Sequence, residues 1–356
     1  MKVSILGNGL TSLALAKLLV NKGIKVDIFA EQKTKEINKA QTLGISKSNI
    51  DFFNKNILNI KKFLWNIDKI EIFSENLKNE KILDFKNNNK CLFSIIKNND
   101  LYNNFLKNLT KNKLFQIKKN ISFNNLVNNN YKLVFNCDQN SLISKKIFYK
   151  KIDKDYKSFA HISILKHRKT TNNIASQIFT KQGPLAFLPI SKTETSIVYS
   201  ARGNEYINFE NLIKKYNMKY KISKTKKFVS IPIKSSNLRC YYYKNIIAFG
   251  DLLHKLHPLA GQGFNMTIRD IKKINELIEF KNKHGLDLDS SICLDFEKIT
   301  KSNNYLFSSG IDLIYEFFNL ENKFNINVLS KSVKFLGKNK AINSFFIKYA
   351  DNGIII

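Results

Sequence analysis

Two glycine pairs, Gly7-Asn8-Gly9 and Gly261-Gln262-Gly263, each stand where a helix is about to begin. A helix start with bare backbone N–H groups favours negative charge. In the first pair an apolar run, Lys2 to Leu6, leads into the glycines. Leu10 to Lys22 then has the apolar spacing of a helix, with Gly23 as its C-cap, and Lys25 to Phe29 reads as a second strand followed by Glu31. This is the pattern of a βαβ unit. Gly7 permits the tight turn, Gly9 lets the backbone approach a pyrophosphate at the helix start formed by Leu10 and Thr11, and Glu31 can accept from a ribose hydroxyl about 20 residues on. Serine replaces the third glycine of the G-x-G-x-x-G pattern at Ser12 and is small enough for close helix packing. The unit reads as a dinucleotide site and does not by itself separate FAD from NAD.

The second pair lies in a longer constellation. Tyr243 to Phe249 reads as a strand, followed by Gly250-Asp251 and the run Leu252-Leu253-His254-Lys255-Leu256-His257-Pro258-Leu259-Ala260-Gly261-Gln262-Gly263-Phe264-Asn265-Met266, then a helix through Ile278. Asp251 sits just past a strand end, where open α/β sheets bind ligands, and its carboxylate can accept from a ribityl hydroxyl. Gly261 and Gly263 leave N–H groups bare where a reduced flavin carries its negative charge. His254 and His257 alone are poor grounds for a metal site, which needs further ligands.

The run from Gly250 to Asn265 resembles the second flavin motif of the class A flavoprotein monooxygenases, in particular the ubiquinone-biosynthesis hydroxylases. Thr42-Leu43-Gly44-Ile45-Ser46, Ala175 to Thr180, Gly183 to Pro189 and Ile197 to Ser200 resemble further segments of that subfamily, so the likeness covers nearly the whole chain. Three of the four prolines, Pro184, Pro189 and Pro258, fall inside these segments. The resemblance implies FAD, with NAD(P)H as electron donor and O2 as co-substrate. It also implies a flavin C4a-hydroperoxide whose distal oxygen is attacked by the phenol ring of a hydrophobic, polyprenylated substrate. Gly7, Gly9, Leu10, Thr11, Glu31, Gln41, Asp138, Asp251, Pro258, Gly261, Gln262, Gly263, Phe264 and Asn265 are its implied cofactor contacts. His257 and Pro258 are expected near the flavin ring, with no general acid or base assigned. Two positions depart from the pattern. Gln139 follows Asp138 where the family has glycine, and Gln41 replaces an arginine. They leave open a related flavoprotein reductase or a non-catalytic flavin-binding assembly subunit.

The elements that must position these residues follow from the same likeness. The expected fold class is α/β: a Rossmann-like, three-layer FAD domain from residues 1–64, 93–150 and 240–285. Residues 65–92 and 151–239 form an inserted β-rich substrate domain, as in para-hydroxybenzoate hydroxylase, and 286–356 are a helical C-terminal region. Ile72 to Ser74 and Leu83 to Phe85 flank a polar turn and predict a hairpin. Ile311 to Phe318 and Phe345 to Ala350 read first as core faces, with a lipid-facing role as the alternative.

Composition narrows the partners. Lys and Arg total 59 against 28 Asp and Glu, a formal charge of +31. Only Arg168, Arg202, Arg239 and Arg269 are arginine, whereas phosphate and base readers favour the forked guanidinium. Lysine, asparagine, isoleucine and phenylalanine are all enriched, which fits A/T-rich codons better than nucleic-acid binding, and no nucleic-acid partner is expected. The charge is compatible with peripheral association with anionic lipid or with a biosynthetic complex. Cys91, Cys137, Cys240 and Cys293 lie far apart without a CxxC pair, which predicts reduced thiols and no zinc site. The N-terminus lacks a signal-peptide pattern, and no apolar run reaches the roughly 20 residues of a membrane span. The expected location is cytoplasmic, peripheral on the inner face of the cell membrane if it meets one.

Overall fold

The computed structural model describes residues 1–30, 41–86, 91–119, 126, 131–203, 207–258, 261–324 and 326–352, apart from the side chains of residues 340, 341, 345, 346, 350 and 352. The N-terminal apolar run forms the strand Lys2–Leu6, and Leu10–Asn21 follows as a helix rich in leucine and alanine. Both have high helix propensity, and apolar residues all round it suit burial. Gly9 is its N-cap, and Gly23 at φ +76° closes its C-terminus. Gly23 N–H bonds Val20 O at 3.0 Å and Ile24 N–H bonds Leu19 O at 3.0 Å, the left-handed cap for which glycine has no Cβ penalty.

Three sheets organise the chain. The first has the order Tyr242–Tyr243, Ile246–Ala248, Leu133–Asn136, Lys2–Leu6, Lys25–Phe29 and Phe115–Lys118, parallel except for the first pair. Its strands are buried on both faces and read as near-continuous apolar runs, as parallel strands do. Ser4 and Asn136 are buried polar exceptions, and the buried charged one is Asp27 in the second strand. Burial raises its pKa, but hydrogen bonds from Lys118 (2.6 Å), Tyr131 (2.6 Å) and Lys2 (2.9 Å) outweigh this and hold the carboxyl below its ordinary value.

The second sheet is largely antiparallel. Its order is His254–Lys255, Val229–Leu238, Lys151–His167, Glu194–Arg202, Gly183–Pro189, Ile174–Thr180, Lys69–Ser74 and Glu80–Lys86, with Ile222–Thr225 paired to Lys151–His167. The hairpin read from sequence is present: Lys69–Ser74 pairs antiparallel with Glu80–Lys86 and parallel with Ile174–Thr180. A small third sheet, Thr42–Ser46, Phe93–Lys97 and Trp65–Ile67, packs on the large one. Helices Gln262–Lys283, Ser291–Phe324, Val328–Gly337 and Lys340–Asn352 complete the chain. The reading of Ile311 to Phe318 as one core face needs correcting. Ile311, Tyr315 and Phe318 are buried, but Leu313, Ile314 and Phe317 face solvent.

Candidate functional site

The site is built at the carboxyl edge of the parallel sheet. Leu6 is in register with both Phe29 and Asn136, and Asn136 with Ala248, so the loops leaving three strands emerge side by side. The first is Gly7-Asn8-Gly9. Gly7 has φ +93°, and a Cβ there would lie 3.4 Å from both Cβ and N of Asp138. Gly9 has an ordinary φ of −72°, and a Cβ on it would meet nothing within 4 Å. Gly7 therefore serves the turn, and Gly9 keeps the helix start open to a ligand.

The second loop, Cys137-Asp138, shares this edge. The Cys137 thiol is pushed up to about 12, first by burial and then by the charges of Asp251 and Asp138, with the nearby Ser12 hydroxyl only partly offsetting them. The third loop is Gly250-Asp251. Gly250 has φ +64°, and a Cβ there would come within 2.7 Å of Thr11 Cγ2. The two motifs are thus fitted to one another through Gly250 and Thr11. Asp251 is exposed, yet desolvation by the protein around it raises its pKa, and His254 and Lys255 only partly offset this.

Facing this edge is the start of the helix Gln262–Lys283. Its N-cap, Gly261, has φ +62°, no acidic residue stands in its first turn, and a Cβ on Gly263 would meet nothing within 4 Å. Gln262 Oε1 is buried with no hydrogen-bond partner among the described residues. Asn265 fixes the helix start: its Oδ1 accepts from Ser46 N (2.9 Å) and Asn49 Nδ2 (3.0 Å), and its Nδ2 donates to Gly44 O (2.9 Å). Leu10 and Phe264 are half-buried against the main core.

The two histidines of the loop divide their tasks. His254 is buried and pairs with Asp270, whose other oxygen accepts from Asn304 Nδ2 at 3.0 Å, so it ties the loop to two helices. His257 is buried between Tyr156 and Tyr315, with ring centroids 4.8 and 4.2 Å away. Burial, aided by the charge of Lys154, drives its pKa down to about 3, so the imidazole is neutral at physiological pH. Pro258 follows it in an exposed position.

Of the other residues singled out in the sequence, Glu31 lies outside the described residues. Asp138 caps its own turn, accepting Asn140 N–H at 2.9 Å. Gln139 is exposed and does not adopt a left-handed conformation, so this turn does not require glycine there. Gln41 is held by Asn98, whose Nδ2 donates to Gln41 Oε1 at 3.2 Å. The clasp of Tyr156 and Tyr315 on His257 and the seat of Thr11 under Gly250 were not apparent from sequence. Each joins residues far apart in the chain with no motif to link them. The bare helix start, the open glycines and the unsatisfied Gln262 oxygen fit a dinucleotide lying across this edge with an anionic group at each helix start. Among the described residues, no group of three His, Cys, Asp or Glu stands where it could hold a metal ion.

No family model matches the chain. Curated relatives do. The ubiquinone biosynthesis monooxygenase COQ6, mitochondrial, of Danio rerio is 23% identical over 231 residues, 51% of this chain and 47% of that protein. The 3-demethoxyubiquinol 3-hydroxylase of Escherichia coli K12 is 27% identical over 153 residues, 39% of this chain and 38% of that protein. The chain spans about half or less of the length of the curated relatives it matches. Among solved structures, p-nitrophenol 4-monooxygenase PnpA from Pseudomonas putida superposes with a TM-score of 0.77 at 12% identity, covering 99% of this chain and 98% of that one. PqsL from Pseudomonas aeruginosa, a probable FAD-dependent monooxygenase, gives 0.72 at 16% identity, covering 94% and 99%. The fold is therefore the para-hydroxybenzoate hydroxylase-like fold of FAD monooxygenases, as the resemblance implied.

Proposed function

We propose that this protein is an FAD-dependent monooxygenase that hydroxylates the aromatic ring of a polyprenylated phenol in ubiquinone biosynthesis. The observation that carries this reading is the meeting of the two glycine motifs, Gly250 against Thr11, at one sheet edge opposite the bare start of Gln262–Lys283. The relatives support the substrate class, since one is named for ubiquinone biosynthesis and the other for hydroxylating a demethoxyubiquinol.

In this reading Gly7, Gly9, Leu10, Thr11 and Glu31 hold the adenosine diphosphate half of FAD. Asp138, Asp251, Gln41, Pro258 and the residues from Gly261 to Asn265 hold the flavin half. When bound, FAD supplies two-electron exchange with NAD(P)H and activation of O2; one oxygen atom enters the ring and the other leaves as water. The chain's own work is electrostatic and steric. The N–H groups of Gly261 to Gly263 favour negative charge beside them, and His257, walled by Tyr156 and Tyr315, stays neutral.

The test is turnover of the FAD-loaded protein with NAD(P)H, O2 and a phenol carrying a short prenyl tail. Product bearing one more oxygen supports the reading. NAD(P)H consumption without oxygen insertion indicates a reductase, and bound FAD that is never reduced indicates a non-catalytic subunit. We further propose that the protein works peripherally on an anionic membrane surface. The charge of +31 and an exposed apolar stripe on Ser291–Phe324 support this, and no helix among the described residues is long and apolar enough to cross a membrane.

A further inference from the structure

Only two asparagines of the chain, Asn8 and Asn352, precede a glycine, and Gly353 lies outside the described residues. Such a pair is the least durable dipeptide in a protein, because glycine has no Cβ to keep its backbone nitrogen away from the asparagine side-chain carbonyl. Folding removes the hazard where both amides are tied down. At Asn8 they are not. The loop is anchored on either side: Gly7 N–H donates to Phe29 O at 2.8 Å, and Gly9 O accepts from Leu13 N at 3.1 Å. Between these anchors, neither the Gly9 N–H nor the Asn8 carboxamide has a hydrogen-bond partner among the described residues.

Access and charge point the same way. Gly9 is exposed, Asn8 is half-buried, and a Cβ on Gly9 would meet nothing within 4 Å, so a side chain has room to swing onto the Gly9 nitrogen. Gly9 is also the N-cap of Leu10–Asn21, whose first turn holds no acidic residue. The positive end of that helix favours loss of the Gly9 amide proton and the negative charge that gathers on the attacked carbonyl.

We propose that Asn8 is a site of spontaneous deamidation and that a bound dinucleotide guards it. The Gly9 nitrogen gives its proton to hydroxide and bonds to Asn8 Cγ, and the side-chain nitrogen leaves as ammonia. Water then opens the cyclic imide at either carbonyl, giving aspartate or, with the chain rerouted through Cγ, isoaspartate. One water is consumed, one ammonia is released, and nothing is oxidised or reduced. Guarding by the cofactor rests on the function proposed above, since a pyrophosphate over Gly9 covers the nitrogen that must attack. The aspartate form keeps its fold, because an acid beside a helix start suits the helix, but its carboxylate repels the pyrophosphate. An unloaded molecule therefore has a limited time in which to acquire FAD.

The test incubates the full chain in mildly alkaline buffer at graded free FAD. Mass spectrometry follows the tryptic peptide Val3–Lys17, in which Asn8 is the only asparagine. Without FAD, aspartate and isoaspartate should build up at Asn8 faster than at the other described asparagines, and faster still as pH rises. With FAD at about ten times its Kd, roughly one molecule in eleven is unloaded, and the rate at Asn8 should fall about tenfold. The other asparagines should not respond to FAD. Asn8→Asp should keep the urea midpoint of the parent while its FAD affinity falls roughly tenfold. If that variant does not fold, the aspartate form separated by charge from aged parent protein serves for the same measurement. Asn8→Ser has no carboxamide to lose and should bind FAD as well after incubation as before it. Loss at Asn8 no faster than at other asparagines overturns the proposal and leaves the proposed function standing. Slowing shared by all asparagines means that FAD acts through folding, and overturns the guarding. Loss at Asn8 as fast with FAD bound as without it also overturns the guarding, and with it the placement of the pyrophosphate over Gly9, but leaves Asn8 a reactive site.

Discussion

Gly9 and Gly250 look alike in sequence and are required for opposite reasons. Gly250 is required by the protein itself: at φ +64° with Thr11 2.7 Å from its missing Cβ, Gly250→Ala should cost about 1–3 kcal/mol of stability, seen as a lower midpoint in urea. Gly9 has an ordinary φ and open space, and serine is a good N-cap, so Gly9→Ser should fold at least as well as the parent. Its FAD affinity should nevertheless fall by roughly tenfold or more, because the side chain occupies the approach of the pyrophosphate. Unchanged FAD affinity in Gly9→Ser would argue against the placement. His257 gives a pH test. With its folded pKa near 3, below the unfolded value, its contribution to stability is present above the unfolded pKa of about 6.5 and is lost as pH falls toward 3. Relative to His257→Phe, the parent should lose up to about 1.4 kcal/mol per pH unit below pH 6 in denaturant melts. The glycines could be read from sequence because their spacing is local. The division of roles between His254 and His257 could not, since the partners Asp270, Tyr156 and Tyr315 come from other elements.

Among the elements, the helix Gln262–Lys283 matters most, because its start is where we propose the flavin half lies. That start is tied to the strand Thr42–Ser46 and the helix Lys47–Asn56 chiefly by the side chain of Asn265, through three hydrogen bonds of 2.9–3.0 Å, with Asn49 Nδ2 also donating to Asn265 O at 3.3 Å. Asn265→Ala leaves those partners unsatisfied and should cost about 2–4 kcal/mol. The released FAD should be measurable by ultrafiltration; a variant that keeps both stability and FAD would show that the lock is dispensable. Strand periodicity and the hairpin at Lys69–Ser74 were legible because alternating side chains and a turn are short-range signals. The registers between strands far apart in the chain were not, and a shift of one residue in any of them would send its side chains to the other face.

At the scale of the whole molecule, the exposed side chains of Leu306, Leu313, Phe317, Leu320 and Phe324 lie seven or three to four residues apart and form one stripe on Ser291–Phe324. Together with the charge of +31 they predict sedimentation with anionic vesicles at low salt. Binding should weaken as salt shortens the reach of the charges, and Phe317→Glu should reduce it further. A protein that stays in the supernatant with anionic vesicles at low salt would end the membrane proposal. The fold class was legible from two motifs, but the stripe was not: sequence hydrophobicity marked the segment without showing that half of it turns outward. One feature of the fold also governs how the protein is made. The cofactor edge draws on Gly7, Asp138, Asp251 and Gly263, so the ribosome must deliver most of the chain before those loops can meet. At roughly 5–20 residues per second, Lys2–Leu6 waits about 6 to 26 s for its neighbour Leu133–Asn136, which then waits about 5 to 20 s more for Ile246–Ala248. Cofactor loading is therefore a late event in the birth of the protein, and shortened translation products ending before the last glycine pair would remain empty.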